Sequence, residues 1–497
     1  MNWMITANLK PVEINQIPVL DFNTLHQELA ILMPHKMRLI AFFGQKLNQH
    51  IRIFIVLAND VESSLLISSV LTEENTAYES FTNQYPEFQN FERELWEAFH
   101  ITPLNHPWLK PYRYPQSDLE KQVKEYPFFS IDSAELHEVA VGPIHAGVIE
   151  PGHFRFICDG ETVLHLEIQL GYQHRGVEEL ILSDSLQKIK NKIHLAESIA
   201  GDTCVGNSLC YVYAMEALSE TNVSLSVEII RAIALEMERM AVHIGDLSAI
   251  ANDVAYLSSS SYLGHFRTQV INLFMYFNGN RFARNLIKVG GVNKMWSEED
   301  ILYAKNVIND VLDNVSFISD IFFAHPSVLA RLEHTGILDK SVAEQIGCVG
   351  LTARASGLQR DIRADHPFGY YKSSLVYPMS LSDGDVFSRA YMRYIEIQQS
   401  ARFILENIDR INPQHEALTQ LNPLKPGHLC VSMTEAWRGE LVHVAVTDAE
   451  GSLVRYKIKD PSFNNWFALA QVLRNNGISD FPLCNKSFNL SYCGNDL

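Results

Sequence analysis

Residues 51–58, Ile-Arg-Ile-Phe-Ile-Val-Leu-Ala, form a nearly unbroken apolar run, and residues 64–71, Ser-Leu-Leu-Ile-Ser-Ser-Val-Leu, form a second. Short runs rich in β-branched and leucine side chains predict strands, and the Asn59-Asp60 pair between them predicts a turn. Over 87–99 the apolar positions are 88, 91, 95, 96 and 99, a helical stripe that must stop before Thr102-Pro103. Four prolines between 103 and 115 exclude a regular element there and predict an extended arm. The polar stretch Gln116 to Lys124 follows, which places a linker at 112–135.

Beyond it the pattern opens with two strand-like pieces, Phe154 to Cys158 and Val163 to Ile168, around the turn pair Asp159-Gly160. From 176 to 410 the period is helical. Ile230, Ile233, Met237, Met240, Ile244 and Leu247 recur at spacings 3-4-3-4-3, an amphipathic core stripe. Glu236, Arg239, His243 and Asp246 repeat the spacing on another face. A row of alternating charge predicts a solvated face, the alternative being a polar line buried between packed helices. Residues 441–446 and 453–458 return to strand character, with Asp448-Ala449-Glu450-Gly451 as a hairpin turn. The expectation is an α+β chain. A small α/β domain occupies residues 1–125, and a large mainly helical domain with a peripheral β-sheet occupies residues 136–497.

Composition narrows the function classes. The chain has 497 residues, 47% hydrophobic and 20% charged, enough apolar material for a sizeable core. Its 40 basic and 58 acidic residues give a net charge of −18, which argues against a nucleic-acid binder. Seven cysteines are odd in number and sparse, so disulfides are not the framework and a reducing compartment is expected. The first residues lack the basic-then-apolar order of a signal peptide, and no apolar run reaches the length of a membrane span. Membrane association is therefore expected through a partner, without direct insertion. Glycine loops of the G-x-G-x-x-G type, Cys-x-x-Cys pairs and the G-x-S-x-G elbow are all missing. Any chemistry rests on scattered His, Glu and Arg residues.

Those residues cluster in blocks: Gly142-Pro143-Ile144-His145, Glu150-Pro151-Gly152-His153-Phe154, and Gly171-Tyr172-Gln173-His174-Arg175-Gly176. Further blocks are Glu197 to Asn207, Glu238 to Leu247, Thr352 to Arg363, Asp460 to Trp466, and Asp480 to Leu490. Together they resemble the large subunit of membrane-bound, energy-converting nickel–iron hydrogenases and the related 49 kDa subunit of respiratory complex I. Asn90-Phe91-Glu92-Arg93-Glu94-Leu95-Trp96 and His106-Pro107-Trp108-Leu109 resemble the 30 kDa subunit of complex I. The fused order is similar to the large subunits of formate hydrogenlyase and hydrogenase-4-type complexes. The resemblance implies a hydrogenase-large-subunit-like fold for the second domain.

Metal-binding members of this group hold nickel and iron through two Cys-x-x-Cys pairs. The resemblance places the first pair at Ala200 and Thr203 and a nearby His at Asn207, none of which is a thiolate or imidazole. The second pair is sought after Asp480, where only Cys484 is near. Cys204 and Cys210, six apart, would sit roughly 120° apart around a helix and cannot chelate as an i, i+3 pair. Buried, inert thiols are the expectation for these cysteines, and no metal is assigned. The chain ends at Leu497, directly after the stretch that follows Asp480, so little room is expected for the C-terminal extension that the resemblance implies for nickel-loaded relatives.

The resemblance further implies roles for retained positions. Glu150 falls where hydrogenases keep a proton-transferring glutamate, the alternative being a glutamate that pins its loop. His174, Arg354 and Asp361, with Arg175 and Arg363, fall on positions lining the metal cavity and its proton exit, the alternative being structural ion pairs. His145 and His153 fall in the loop that offers a histidine to a quinone headgroup. The expected function is that of an oxidoreductase subunit, active only within a complex and without its own nickel–iron site. It would pass electrons to a quinone-like acceptor coupled to proton or ion movement. A catalytically silent coupling subunit is the second reading, and an active nickel–iron hydrogenase the third. The implied cofactors, an iron–sulfur cluster and a quinone, lie outside this chain. The implied partners are a small iron–sulfur subunit and antiporter-like membrane subunits, with the chain peripheral on the cytoplasmic side of the inner membrane.

Overall fold

The computed structural model describes residues 2–113, 125–144, 150–182 and 192–497. In the first region, strands Arg38–Leu47, His50–Asn59 and Ser64–Glu73 form an antiparallel meander. Met4–Thr6 pairs antiparallel and Val19–Leu20 parallel to Ser64–Glu73. The apolar run at 51–58 is broken only by Arg52 because the sheet is covered on both faces, which removes the alternation of a half-buried strand. On one face Ile51, Ile53, Ile55 and Leu57 pack with Leu25, Phe88, Phe91 and Leu95 from helices Phe22–Leu32 and Gln89–Phe99 and the turn before the second. On the other, Phe43, Phe54, Val56 and Ala58 join the core of the second region. Helix Gln89–Phe99 stops at His100 in a left-handed conformation, short of Pro103 as expected. Pro103 itself sits in a short strand, Thr102–Leu104, parallel to Ala77–Glu79, so the proline-rich arm is irregular only beyond it. The expected linker at 112–135 falls partly outside the described residues.

The second region opens with the sheet His137–Val141, His153–Asp159, Thr162–Gln169, whose hairpin turns at Gly160 with φ +55°. Its helical body is built on Leu225–Asp253, packed against Leu257–Asn278 and Val386–Asn407, with Glu298–Ala324 alongside. The hydroxyl of Ser224 caps the first of these by accepting from Val227 N–H, and Ser297 with Asp300 forms a capping box on the last. The stripe from Ile230 to Leu247 is fully buried, each large aliphatic side chain contributing roughly 1.5–3 kcal/mol of transfer free energy. The row expected to be solvated is buried as well: Glu236, Arg239 and His243 are at 0% exposure and Asp246 at 7%. Solvation is replaced here by ion pairing between helices.

Strands His428–Ala436, Gly439–Thr447 and Leu453–Lys459 form an antiparallel sheet completed by Val12–Glu13 from the first region. This sheet was expected at the periphery. Its two central strands are instead buried along almost their whole length, between helix Cys204–Leu218 and the first region. The two regions therefore share one core. Among the described residues no single helix is long and apolar enough to cross a membrane. Glu298–Ala324 and Pro326–Leu332 reach that threshold only when joined across a 77° bend.

Candidate functional site

The charged face of Leu225–Asp253 leads into a set of residues from five other segments. Glu236 accepts from Arg363 at 2.9 Å, Arg239 at 3.2 Å, Tyr371 at 2.5 Å and Ser400 at 2.5 Å. Arg363 is also paired with Asp361 at 2.6 Å. Arg354 reaches Glu396 at 2.8 Å and Glu435 at 2.7 Å, with Asp361 at 3.5 Å. His243 donates from Nε2 to Glu396 at 2.9 Å, and its Nδ1 has no partner. Four carboxylates thus meet three guanidiniums in a buried core, and such groups persist only when paired. Burial works against the ionised form of Glu236, yet Arg363 and Arg239 hold it down to about 2. Glu435 is the exception: burial and the adjacent Asp361 push it up to about 7 against Arg354. A protonated Glu435 makes the set electrically neutral. Burial also keeps the His243 imidazole below its ordinary value, despite Glu396.

Glu435 lies opposite Glu440 in the sheet register. Glu440 pairs with Arg38 at 2.9 Å and Lys459 at 2.7 Å, and Arg38 pairs with Asp60 at 2.6 Å. His366 donates to Asp60 at 3.1 Å. The central set is therefore flanked by a buried ion cluster that joins the two regions.

A second centre lies at the start of helix Cys204–Leu218, where Ala200, Thr203 and Asn207 stand. Arg438 grips both oxygens of Asp202 at 2.7 Å, donates to Thr203 Oγ at 3.1 Å and to the Asn489 carbonyl at 2.6 Å. Its guanidinium lies over Trp437 at 3.9 Å, and the Trp437 indole N–H also bonds Thr203. Arg175 ties Ser198 O at 2.7 Å and Ile199 O at 3.0 Å to Cys493 O at 2.9 Å. Residues 489–494 are thus the segment brought to the 198–203 loop, not the stretch after Asp480. Cys484 lies elsewhere, buried in helix Phe481–Phe488 beside Gly336 and Arg389.

Glu150 borders this second centre. Burial first, and then the charge and hydrogen bond of Glu150, push the Cys493 thiol up to about 12. His174 is here too, its Nδ1–H donating to Asp496 O at 2.7 Å. Arg354 and Asp361 belong to the first centre. The two centres touch through the rings of His243 and Trp437, 6.0 Å apart and perpendicular. Asp246, paired with Arg393 at 2.8 Å, also holds the Asn489 side chain at 2.7 Å. His153 joins neither: its Nδ1–H donates to Gly142 O at 3.1 Å and its ring packs on Phe128. His145 lies outside the described residues. Glu238, to which sequence reasoning gave no role, accepts the N–H groups of Val205 at 2.7 Å and Gly206 at 3.1 Å. Burial pushes it up to about 8 even so.

The sequence model of the respiratory-chain NADH dehydrogenase 30 Kd subunit matches residues 19–127, and that of the 49 Kd subunit matches 253–426 and 413–496. The chain is a 30 kDa-type region fused to a 49 kDa-type region. The fused chain is 26% identical to formate hydrogenlyase subunit 5 of Escherichia coli (strain K12), over 98% of this chain and 88% of the relative. It is 28% identical to the membrane-bound hydrogenase subunit alpha of Pyrococcus furiosus, over 69% of this chain and 83% of the relative. Its fold is shared with a chain of the archaeal membrane-bound sulfane sulfur reductase, a respiratory membrane complex, at TM-score 0.68 and 22% identity over 74% of this chain and all of that one.

The residues of the second centre do not fit a thiolate-held metal. Ala200 has no donor atom, the Thr203 hydroxyl is committed to Asp202, Arg438 and Trp437, and the Asn207 amide N–H bonds the Thr203 carbonyl at 3.0 Å. Six of the seven cysteines are buried, and the seventh, Cys493, faces Glu150 and Ser491 with its thiol pushed up. Among the described residues no group of three or more His, Cys, Asp or Glu side chains is placed to hold a metal ion.

Proposed function

We propose that the fused chain acts inside a membrane-associated assembly of the complex I and membrane-bound hydrogenase kind. In that assembly it moves protons in step with electron transfer from a partner's iron–sulfur cluster to a quinone-like acceptor. The observation that carries this reading is the buried charged set around Glu435. Well-packed apolar side chains would serve stability as well or better, so retention of this many ionised groups in one connected core points to use of their charge. Glu435 and Glu238, with values near neutral pH, are the groups suited to take up and release protons there. Glu150 and His174 extend the line to the second centre, where Arg438 and Asp202 stand in place of metal ligands. Residues 1–125 serve as the 30 kDa-type domain and residues 136–497 as the 49 kDa-type domain. A small iron–sulfur subunit and antiporter-like membrane subunits are the partners, on the cytoplasmic face of the inner membrane. His153 and His145 are the residues offered to a quinone headgroup.

A second reading, a redox-silent coupling subunit, is favoured by the Asp202–Arg438 pair, which makes the former metal position a structural joint. The deciding experiment is purification of the intact assembly from its native membrane. Subunit identification, bound-quinone analysis and quinone reductase activity would support the first reading. An assembly with neither quinone nor redox turnover would leave the second.

A further inference from the structure

Between the two regions lies a cavity of about 550 Å³, within the range of small-molecule sites, which borders the C-terminal segment of the second centre at Asn495. It exists because the proline-rich arm cannot fold back as a regular element and instead bridges the regions. Arg93 fixes the arm by donating to Lys110 O at 2.7 Å and Pro111 O at 2.6 Å. The arm contributes Trp108 and Tyr112 to the wall, helix Gln89–Phe99 contributes Gln89, strand Thr162–Gln169 contributes His165, and the end of helix Pro461–Val472 leads to Gln471 and Arg474.

Two features set the chemistry of this wall. The first is charge. In a chain of net charge −18 the cavity is lined by two guanidiniums, Arg93 and Arg474, and by a single carboxylate, Glu167. That carboxylate is already committed to Lys110 at 2.7 Å and to the Phe129 N–H at 2.8 Å. Arg474 has no ion pair among the described residues. The second is unspent polarity beside aromatic rings. His165 stands 5.8 Å from Trp108 and 5.2 Å from Phe129, and its Nε2 is buried without a hydrogen-bond partner. A buried polar atom left unpaired costs stability, which a turn of the His165 ring toward an anion in the cavity would relieve. The rings supply flat apolar contact, which suits a planar group.

We infer that this cavity binds a small anion carrying a flat ring, its ring against the aromatic wall and its charge toward His165 and Arg474. A nucleotide phosphate and an aromatic carboxylate share this chemistry, and the probes below separate them.

The test uses the full-length chain, with tryptophan fluorescence and calorimetry as readouts. Adenosine monophosphate and benzoate are the ligands, and adenosine and inorganic phosphate are the part-ligands. Saturable binding of adenosine monophosphate or benzoate is expected, with the matching part-ligands about tenfold weaker or more. Whichever of the two binds more tightly names the source of the anion. Arg474→Ala and His165→Gln should each weaken binding about tenfold, and Arg474→Ala should do so without moving the melting temperature, since Arg474 is exposed. Trp108→Leu should weaken the ring-bearing probes and leave phosphate unchanged. Absence of binding by both ligands overturns the inference. So does adenosine binding as tightly as its monophosphate together with no binding of benzoate, or binding that neither Arg474→Ala nor His165→Gln weakens.

Discussion

Arg438 holds both carboxylate oxygens of Asp202 at 2.7 Å, and the same guanidinium reaches the carbonyl of Asn489. One cation thus joins the loop before helix Cys204–Leu218 to the C-terminal segment. The pair is stacked on Trp437 and holds the two segments together mechanically. The joint is linked to the buried set around Glu396 through the His243–Trp437 ring contact and the Asp246–Asn489 hydrogen bond.

Glu396 is the hub of that set, accepting from Arg354, His243 and Arg239. Glu396→Ala leaves two guanidiniums short of a partner in a buried core. The expected loss of stability is about 3–5 kcal/mol, the scale of a broken buried ion pair, against about 0–1 kcal/mol for a solvated charged face. Urea denaturation of the variant decides between the buried and the solvated description.

The junction of the two regions should be acid-labile. Burial opposes ionisation of Glu440, but Arg38 and Lys459 hold it down to about 2, and Asp60 beside Arg38 is likewise lowered. A carboxylate lowered on folding stabilises above its ordinary value near 4.5 and loses that contribution as pH falls toward the folded value. For Glu440 the amount is of order 3 kcal/mol. Melting temperature should fall steeply between about pH 5 and pH 2, and Glu440→Gln should flatten that fall while lowering the plateau at neutral pH.

Glu238 has the opposite sign. Its folded value, pushed up to about 8 by burial, means that the folded chain keeps a proton the unfolded chain has lost. The contribution is complete below the ordinary carboxylate value and disappears as pH rises through about 8. Glu238→Gln, permanently uncharged, should remove this part of the pH dependence between about pH 5 and pH 8 and be no less stable than wild type at pH 9. Thermal melts across that range measure it.

Much of this arrangement was legible in the chain. The runs at 51–58 and 64–71, the stripe from Ile230 to Leu247 and the hairpin at 448–451 appear where their periodicity places them. The charged row beside that stripe was misread because a helical period reports that a face is distinct, not what lies against it. The partners that bury Glu236 and His243, namely Arg363 and Glu396, are more than a hundred residues away. The same distance hid the docking of residues 489–494 on the 198–203 loop. The sheet at 428–459 is covered by helix Cys204–Leu218 and by the first region, both more than two hundred residues away in the sequence, so its own strand pattern does not report the burial.

The central claim is that the buried acid–base line works, and Glu150 tests it most directly. Glu150→Gln keeps the size of the side chain and most of its hydrogen bonding but cannot carry a proton. Two numbers are needed from the native assembly: assembled complex per cell and quinone reductase turnover per assembled complex. The account predicts unchanged assembly and turnover reduced by about 10²-fold or more, the scale of losing an acid–base group. Unchanged turnover per complex with reduced assembly would contradict it and make Glu150 a residue that pins its loop.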